Sequence, residues 1–161
     1  MNQDVENVIK LKDNYQLKFM KEAYKEAKKA YDKKEVPVGC VIVKDNKIIA
    51  RAHNLRETNQ NVTNHAETLA ISKACKKLKS WRLDDCDVYC TLEPCIMCYG
   101  AIVNARIRNL YIATKNKRYD YDALYNITLN HKVNIIEGIY EEESSLLISN
   151  FFKELRNNKD E

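Results

Sequence analysis

The chain has 161 residues, of which 45% are hydrophobic and 31% are charged. These values are typical of globular proteins, and they exclude a disordered or low-complexity chain. The formal net charge of +4 permits an anionic partner but is too small to require one.

The N-terminal residues 1–13 mix acidic and basic side chains and lack the apolar run of a secretory signal peptide. No stretch approaches the roughly 18 consecutive apolar residues that a membrane-spanning helix needs. We therefore expect a cytoplasmic protein without a membrane anchor, whose six cysteines are thiols or metal ligands rather than disulfides. Since no repeat or linker interrupts the chain, we expect a single domain over residues 1–161, frayed at 1–13 and 157–161.

Two helices and a hairpin are predicted in the first half of the chain. In both helical segments, apolar residues recur every three or four positions, which is typical of a helix with one buried face. The two runs between them are short, apolar and separated by a turn, as in a β-hairpin. The predicted elements are a helix over 15–34, strands over 40–43 and 48–52, a polar loop over 54–64 and a helix over 65–78.

The second half alternates short buried strands with helices. Its predicted elements are strands over 88–92, 110–113 and 133–136, helices over 95–105 and 141–155, and an irregular or partly helical segment over 115–129. This order predicts an α/β protein, a three-layer α/β/α sandwich around a five-stranded mixed sheet. Ligands of such sheets bind beyond the carboxyl ends of the strands, where helices begin.

Two short motifs begin the second and third predicted helices, His65-Ala66-Glu67 and Pro94-Cys95-Ile96-Met97-Cys98. Cys95 and Cys98 are three positions apart, so they share a helix face, and a helix N-terminus favours thiolates. Two thiolates and one imidazole suit Zn²⁺ with an open fourth position for water, which is the pattern of a catalytic site.

Glu67 is placed to carry a proton beside a zinc-bound water, whose pKa zinc lowers to about 7. Metal, water and proton carrier together describe hydrolytic deamination of a purine or pyrimidine. The H-x-E and P-C-x-x-C pair is the established signature of zinc-dependent nucleobase deaminases.

Other interpretations of the cysteines remain open. Cys95 and Cys98 could form a thioredoxin-like redox pair, which would leave the His-x-Glu motif unexplained. A structural zinc could instead use Cys86, Cys90, Cys95 and Cys98, although Cys90 falls within a predicted strand. We expect Cys40, Cys75, Cys86 and Cys90 to be small packing residues.

Beyond the zinc motif, the chain resembles the bacterial-type tRNA adenosine deaminases of the cytidine deaminase superfamily. The resemblance extends from about residue 15 to 157 and rests on Asn54, the zinc motif and further segments. These segments are residues 35–39 (Glu-Val-Pro-Val-Gly), 91–98 (Thr-Leu-Glu-Pro-Cys-Ile-Met-Cys) with 100–102, 130–133, 137–138 and the Phe151-Phe152 pair.

The resemblance implies a cytidine deaminase-like fold and a hydrolase that converts adenosine to inosine at the wobble position of a tRNA anticodon. It implies one Zn²⁺ per chain with a bound water or hydroxide, held by His65, Cys95 and Cys98, with Glu67 as the proton shuttle. Asn54 matches a base-binding asparagine, although a side chain that caps a loop is an alternative. The resemblance also implies a homodimer.

Residues 95–119 contain no acidic side chain and five basic ones, which suit the phosphates of an anticodon stem-loop. These are Arg106, Arg108, Lys115, Lys117 and Arg118. In the last helix, Phe151, Phe152, Lys153 and Arg156 match positions that face the anticodon loop in the family. Alternatively, the two phenylalanines belong to the core and the charges to a solvated face.

Residues 114–124 depart from the family, because they lack its glycines and an aspartate at position 116. Two further functions stay open. One is a deaminase of a free base or nucleoside, such as cytosine, guanine or cytidine. The other is a non-catalytic RNA-binding or partner subunit, against which the intact Glu67 argues.

Overall fold

The computed structural model describes residues 3–118, 120, 123, 125 and 130–160. Its elements are α1 (Gln3–Asp32), β1 (Gly39–Lys44), β2 (Lys47–His53), α2 (Arg56–Asn59), α3 (Ala66–Leu78), β3 (Cys86–Leu92), α4 (Ile96–Asn104), β4 (Asn109–Thr114), β5 (Asn134–Glu137) and α5 (Glu141–Asn157). Within the described ranges, none of the helices has the length and apolar character needed to cross a membrane.

The five strands form one mixed sheet in the order β2-β1-β3-β4-β5. β1 is antiparallel to β2 and β3, whereas β3, β4 and β5 are mutually parallel. Alternate strand residues point to opposite faces, so the sheet has two apolar faces to cover. α3 and α4 pack on one face and α1 on the other, which confirms the predicted α/β/α sandwich.

α1 lies unusually close to β1, and small residues make this approach possible. A Cβ atom at Gly39 would lie 1.9 Å from the carbonyl oxygen of Ala23 and 2.5 Å from the backbone nitrogen of Ala27. Only glycine fits at this position, because the obstacle is helix backbone that cannot move aside. The glycine of the 35–39 segment therefore allows the first layer to pack on the sheet.

The observed elements differ from the predicted ones at two places, and a third prediction is largely untested. α1 begins at Gln3 rather than at residue 15, so residues 3–13, expected to be frayed, are helical. The polar loop over 54–64 contains α2, whose four residues are too few to show a helical period. Much of the predicted irregular segment 115–129 lies outside the described residues.

Candidate active site

The three predicted zinc ligands come together where α3 and α4 begin. His65 immediately precedes α3 and Cys95 immediately precedes α4, both with extended backbone, and Cys98 lies in the first turn of α4. β3 leads directly into this region, so the group lies beyond the carboxyl end of a central strand. We call His65, Cys95 and Cys98 the metal group.

The spacing of the metal group fits a zinc ion. The Nδ1 atom of His65 lies 3.5 Å from Cys98 Sγ and 3.6 Å from Cys95 Sγ. A tetrahedral site with Zn–N of about 2.0 Å and Zn–S of about 2.3 Å has an N···S edge of about 3.5 Å. Across the described part of the chain, this is the group of histidine, cysteine or acidic side chains that could hold a metal ion. The donor set and its distances are those of a site with three protein ligands.

The two thiols of the metal group differ in their protonation. Hydrogen bonding to Cys98 lowers the pKa of Cys95 to about 4, and His65 adds to this effect. The same contact, together with burial, raises the pKa of Cys98. Cys95 is therefore a ready thiolate beside an imidazole, as a metal ligand must be.

Glu67 lies in the first turn of α3 and is only 4% exposed. Its Oε2 atom accepts a hydrogen bond from Cys98 Sγ at 3.4 Å, which places the carboxyl against the metal group. Burial raises the pKa of Glu67, because the charged form loses its hydration. A carboxyl in this position can accept a proton and release it again.

The remaining cysteines are packing residues, and the alternative Cys₄ zinc is wrong, because Cys86 and Cys90 do not belong to the group that could hold a metal among the described residues. Cys40 and Cys90 face each other across β1 and β3 with 3.7 Å between their sulfur atoms, and both are fully buried. Cys86 begins β3 and is buried, and Cys75 is half-buried on α3. A redox role for Cys95 and Cys98 leaves His65, within 3.6 Å of both sulfurs, without a function.

A cavity of about 740 Å³ lies over the metal group. Glu67 and the metal group residues His65 and Cys95 contribute to its lining, and Val36, Val38 and Leu92 provide apolar surface. Five basic residues line it as well, and we call them the cationic rim: Arg56, Lys115, Lys117, Arg118 and Arg156. The cavity thus combines a site for chemistry, apolar contact area for a base and positive charge for phosphates.

The structure divides the predicted basic window into two parts. Lys115, Lys117 and Arg118 line the cavity as expected, and Lys115 also pairs with Glu137 at 3.3 Å. Arg106 and Arg108 do not line it, so the structure does not bring them together with the other three, and their contact with RNA stays a prediction. Both precede β4, whose six residues span about 20 Å from that edge of the sheet to the cavity.

Arg106 and Arg108 make contacts within the protein. Arg106 Nη1 donates a hydrogen bond to the carbonyl oxygen of Val103 at 3.1 Å. Arg108 binds the Asp87 carboxylate through Nε and Nη2, both at 3.2 Å. The sequence alone does not reveal this separation. The basic residues lie within one stretch without acidic side chains, but β4 runs between them and carries the chain from one end of the sheet to the other.

The last helix presents one face to the cavity. Phe152 and Arg156 line it, whereas Lys153 is exposed elsewhere and Phe151 is only 9% exposed. The Phe151 ring packs edge-on against Tyr31 of α1, so the core interpretation holds for Phe151 alone. The lining residues share one stripe at helical spacing: Ser145, Ile148, Ser149, Phe152 and Arg156.

Asn54 is both a loop cap and a cavity residue. Its Nδ2 group donates to the carbonyl oxygen of Val36 at 3.3 Å, and its Oδ1 atom accepts the backbone N–H of Arg56 at 3.1 Å. It also lines the cavity. These bonds fix the orientation of the amide, which has a second N–H and a second lone pair for a ligand.

Comparisons with known proteins agree with this site. A family model described as MafB19-like deaminase matches residues 14–156. The tRNA-specific adenosine deaminase of Bacillus subtilis is 46% identical over 146 residues, covering 88% of this chain and 91% of the relative. That of Aquifex aeolicus is 46% identical over 145 residues, covering 87% of this chain and 95% of the relative. The chain is a member of the tRNA-specific adenosine deaminase family.

A solved structure extends the similarity to three dimensions. It belongs to a tRNA:A34 deaminase that edits A to I at the wobble position of transfer RNA, with a TM-score of 0.77 and 38% identity. The match covers 80% of this chain and 97% of that chain. The cytidine deaminase-like fold predicted from the resemblance is therefore confirmed.

Two residues that shape this deaminase cavity escaped the sequence analysis. Arg56, at the start of α2, belongs to the cationic rim. Glu35 is fully buried, and its carboxylate accepts the backbone N–H groups of Glu57 at 2.8 Å and Thr58 at 3.3 Å. It satisfies the free N–H groups of α2 and so holds Arg56 beside the cavity. The one signal for Glu35 in the sequence is that an acidic residue stands directly before an apolar segment. The sequence does not show that its partner is α2, which lies about twenty residues further along the chain.

Proposed function

We propose that this protein hydrolyses adenosine to inosine at the wobble position of a tRNA anticodon with the help of one Zn²⁺ per chain. The observation that carries the proposal is the metal group in contact with buried Glu67, within a cavity that has a cationic rim. Family membership supports adenosine in tRNA as the substrate.

His65, Cys95 and Cys98 would hold the zinc. When bound, Zn²⁺ supplies Lewis acidity and an activated water nucleophile at its open position. The protein's part is to provide the imidazole and thiolates at tetrahedral spacing and to shield one side of the site, since Cys98 is fully buried.

Glu67 moves the proton. The water oxygen forms a bond to C6 of adenine, the bond from C6 to the exocyclic nitrogen breaks, and the products are inosine and ammonia. Glu67 takes a proton from the attacking water and gives it to N1 of the ring, and it then moves the proton of the new hydroxyl group to the exocyclic nitrogen, which leaves as ammonia while C6 becomes a carbonyl. Burial raises the pKa of Glu67, so this carboxyl accepts a proton more readily than an exposed glutamate does and can still release it.

Other cavity residues would bind the nucleotide. Val36, Val38 and Leu92 offer apolar contact to the base, and the Asn54 amide can hydrogen-bond its edge. Phe152 offers an aromatic face to a neighbouring base, and the cationic rim can contact phosphates. An anticodon loop suits such a site, because extruding a base from a single strand costs less than from a duplex.

The cavity favours this function over the two alternatives. Five cations around one opening and an aromatic side chain suit a phosphate-bearing polymer better than a free base or nucleoside. A non-catalytic subunit would have no use for a buried carboxyl that contacts a metal group.

We also propose that the protein works in the cytoplasm as a homodimer. α4 supports the dimer, because Ile96 is 61% exposed next to Cys95 at the start of this largely apolar helix. Sedimentation of the zinc-loaded protein at twice the chain mass would support this, and sedimentation as a monomer would contradict it.

Glu67→Gln tests the proposed chemistry. We expect the variant to keep its zinc and its fold but to lose turnover by about 10²–10⁴-fold, because glutamine cannot carry the proton. Inosine is measured by mass spectrometry of a digested anticodon stem-loop RNA, and zinc by elemental analysis. Glu142→Gln, an exposed position on α5 outside the cavity, is the matched control and should behave as wild type.

A Glu67→Gln variant that deaminates at a near wild-type rate would show that Glu67 is not the proton carrier. The ligand assignment has its own check. A protein with both Cys95→Ser and Cys98→Ser should lose zinc, and full retention would contradict the assignment.

A further inference from the structure

Glu93 is a buried carboxylate that the proposed chemistry does not use. It follows β3 directly, is 2% exposed and lines the cavity two residues before Cys95. A buried carboxylate is costly unless hydrogen bonds compensate for its lost hydration. The partners of Glu93 therefore indicate its purpose.

These partners lie at the end of β4 and in the chain segment that follows it. Glu93 Oε1 accepts the backbone N–H of Asn116 at 3.1 Å, and Oε2 accepts the hydroxyl of Tyr125 at 2.6 Å. The backbone N–H of Glu93 donates to the carbonyl oxygen of Thr114 at 2.9 Å. The ring of Tyr125 packs on Tyr99 of α4 with 5.0 Å between centroids, so this anchor is itself held by α4.

The anchored segment carries three of the five cations of the rim. We call residues 114–118 the basic loop; its Lys115, Lys117 and Arg118 line the cavity. Pairing of β3 with β4 ends at Leu92 and Thr114, so these strand hydrogen bonds do not continue into the rest of the loop, where Lys115 makes the exposed ion pair with Glu137 of β5.

A second hydrogen bond connects Asn116, which Glu93 holds, to Arg118 at the far end of the basic loop. Asn116 Oδ1 accepts the backbone N–H of Arg118 at 3.2 Å, which bends the chain in an Asx turn. Glu93 fixes the backbone of Asn116, and Asn116 fixes the direction in which Arg118 leaves the turn.

We infer that Glu93 is a positioning residue that holds the basic loop against the cavity and thereby sets the affinity for RNA. The inference rests on the proposed function, since it concerns how the proposed RNA substrate is bound. Glu93 acts through the loop and not on the reacting atoms, so its loss should raise KM and Kd and leave kcat nearly unchanged.

The direction in which RNA affinity changes when Glu93 is removed separates a positioning role from a purely electrostatic one. Removing a negative charge beside a phosphate-binding surface should by itself strengthen RNA binding. Positioning predicts the opposite, because a displaced loop takes its cations away from the phosphates.

The test compares Glu93→Ala, Glu93→Gln and Tyr125→Phe in the zinc-loaded full chain, with Glu142→Ala as the control for charge removal. Kd for an anticodon stem-loop RNA is measured against salt, and KM and kcat are measured from inosine formation. We expect Glu93→Ala to raise Kd and KM by about 10-fold, and to lower the salt slope by about 0.7 for each phosphate that the loop no longer binds.

Glu93→Gln should restore binding to within about twofold of wild type, because its amide oxygen can accept the Asn116 N–H and its NH₂ group can donate to the Tyr125 hydroxyl. Tyr125→Phe removes the hydroxyl that donates to Glu93 Oε2 but leaves the bond from the Asn116 N–H, so it should raise KM by less than Glu93→Ala. Glu142→Ala should bind RNA as the wild type does or slightly better.

Several results would overturn the inference. These are a folded Glu93→Ala protein that binds RNA as tightly as the wild type, or a Glu93→Gln protein as impaired as Glu93→Ala. If Glu93→Ala fails to fold or to hold zinc, an unchanged KM in Tyr125→Phe overturns it instead. A wild type that binds the RNA without making inosine contradicts the proposed function alone, and the Kd comparison still decides the role of Glu93. A wild type that neither binds nor edits the RNA contradicts both.

Discussion

Phe151 and Phe152 are neighbours in α5, yet their side chains serve different parts of the molecule. Phe151 packs into the core against Tyr31, and Phe152 lines the cavity. Sequence could not separate them, because the rotation of α5 is set by its packing on β4, β3 and α1, which are far away in the chain. By contrast, His65, Glu67, Cys95 and Cys98 were predictable, since local spacing alone places them at helix starts.

Alanine substitutions should separate the two phenylalanines. Phe151→Ala should lower the free energy of unfolding by about 3 kcal/mol, because it leaves a cavity in the core. Phe152→Ala should change stability little and weaken RNA binding by about 1–3 kcal/mol, as expected for loss of one stacked base. Urea unfolding and RNA titration measure the two effects. A loss of RNA affinity without destabilisation in Phe151→Ala would contradict the assignment.

At the scale of elements, β4 decides which basic residues can act together. The sequence predicts this strand and the structure confirms it, and its direction places Arg106 and Arg108 at the opposite end from the cavity-lining cations Lys115, Lys117 and Arg118. The short helix α2 and the basic loop were also harder to predict than the strands, because long-range contacts hold them in place. α2 depends on the Glu35 carboxylate, and the basic loop depends on Glu93, contacts that join segments about twenty residues apart.

Matched double variants on the two sides of β4 test this division. Lys117→Gln with Arg118→Gln should weaken RNA binding by about 10-fold and lower the salt slope by about 1.4, as expected when two phosphates lose their cationic partners. Arg106→Gln with Arg108→Gln removes the same charge from the far edge and should change affinity by less than about twofold. Equal losses in both variants would show that the RNA also covers the far edge of the sheet.

For the whole molecule, the placement of charge is more informative than its total. A net charge of +4 indicated little, whereas the fold gathers five cations around one cavity and buries two glutamates, Glu67 and Glu93, within it. The residues that line the cavity come from segments spread between Val36 and Arg156, so distant parts of the chain together form the substrate site. The chemistry could be predicted from two motifs, while the shape of the cavity required the folded chain.

The most direct test of the account is a substrate comparison with the zinc-loaded wild type. An anticodon stem-loop RNA with adenosine at the wobble position is incubated beside free cytosine, guanine and cytidine, and each is followed by mass spectrometry and ammonia release. We predict that the wobble nucleotide alone changes mass, by replacement of its amino group with oxygen. Ammonia released from a free base or nucleoside while the RNA stays unchanged would contradict it.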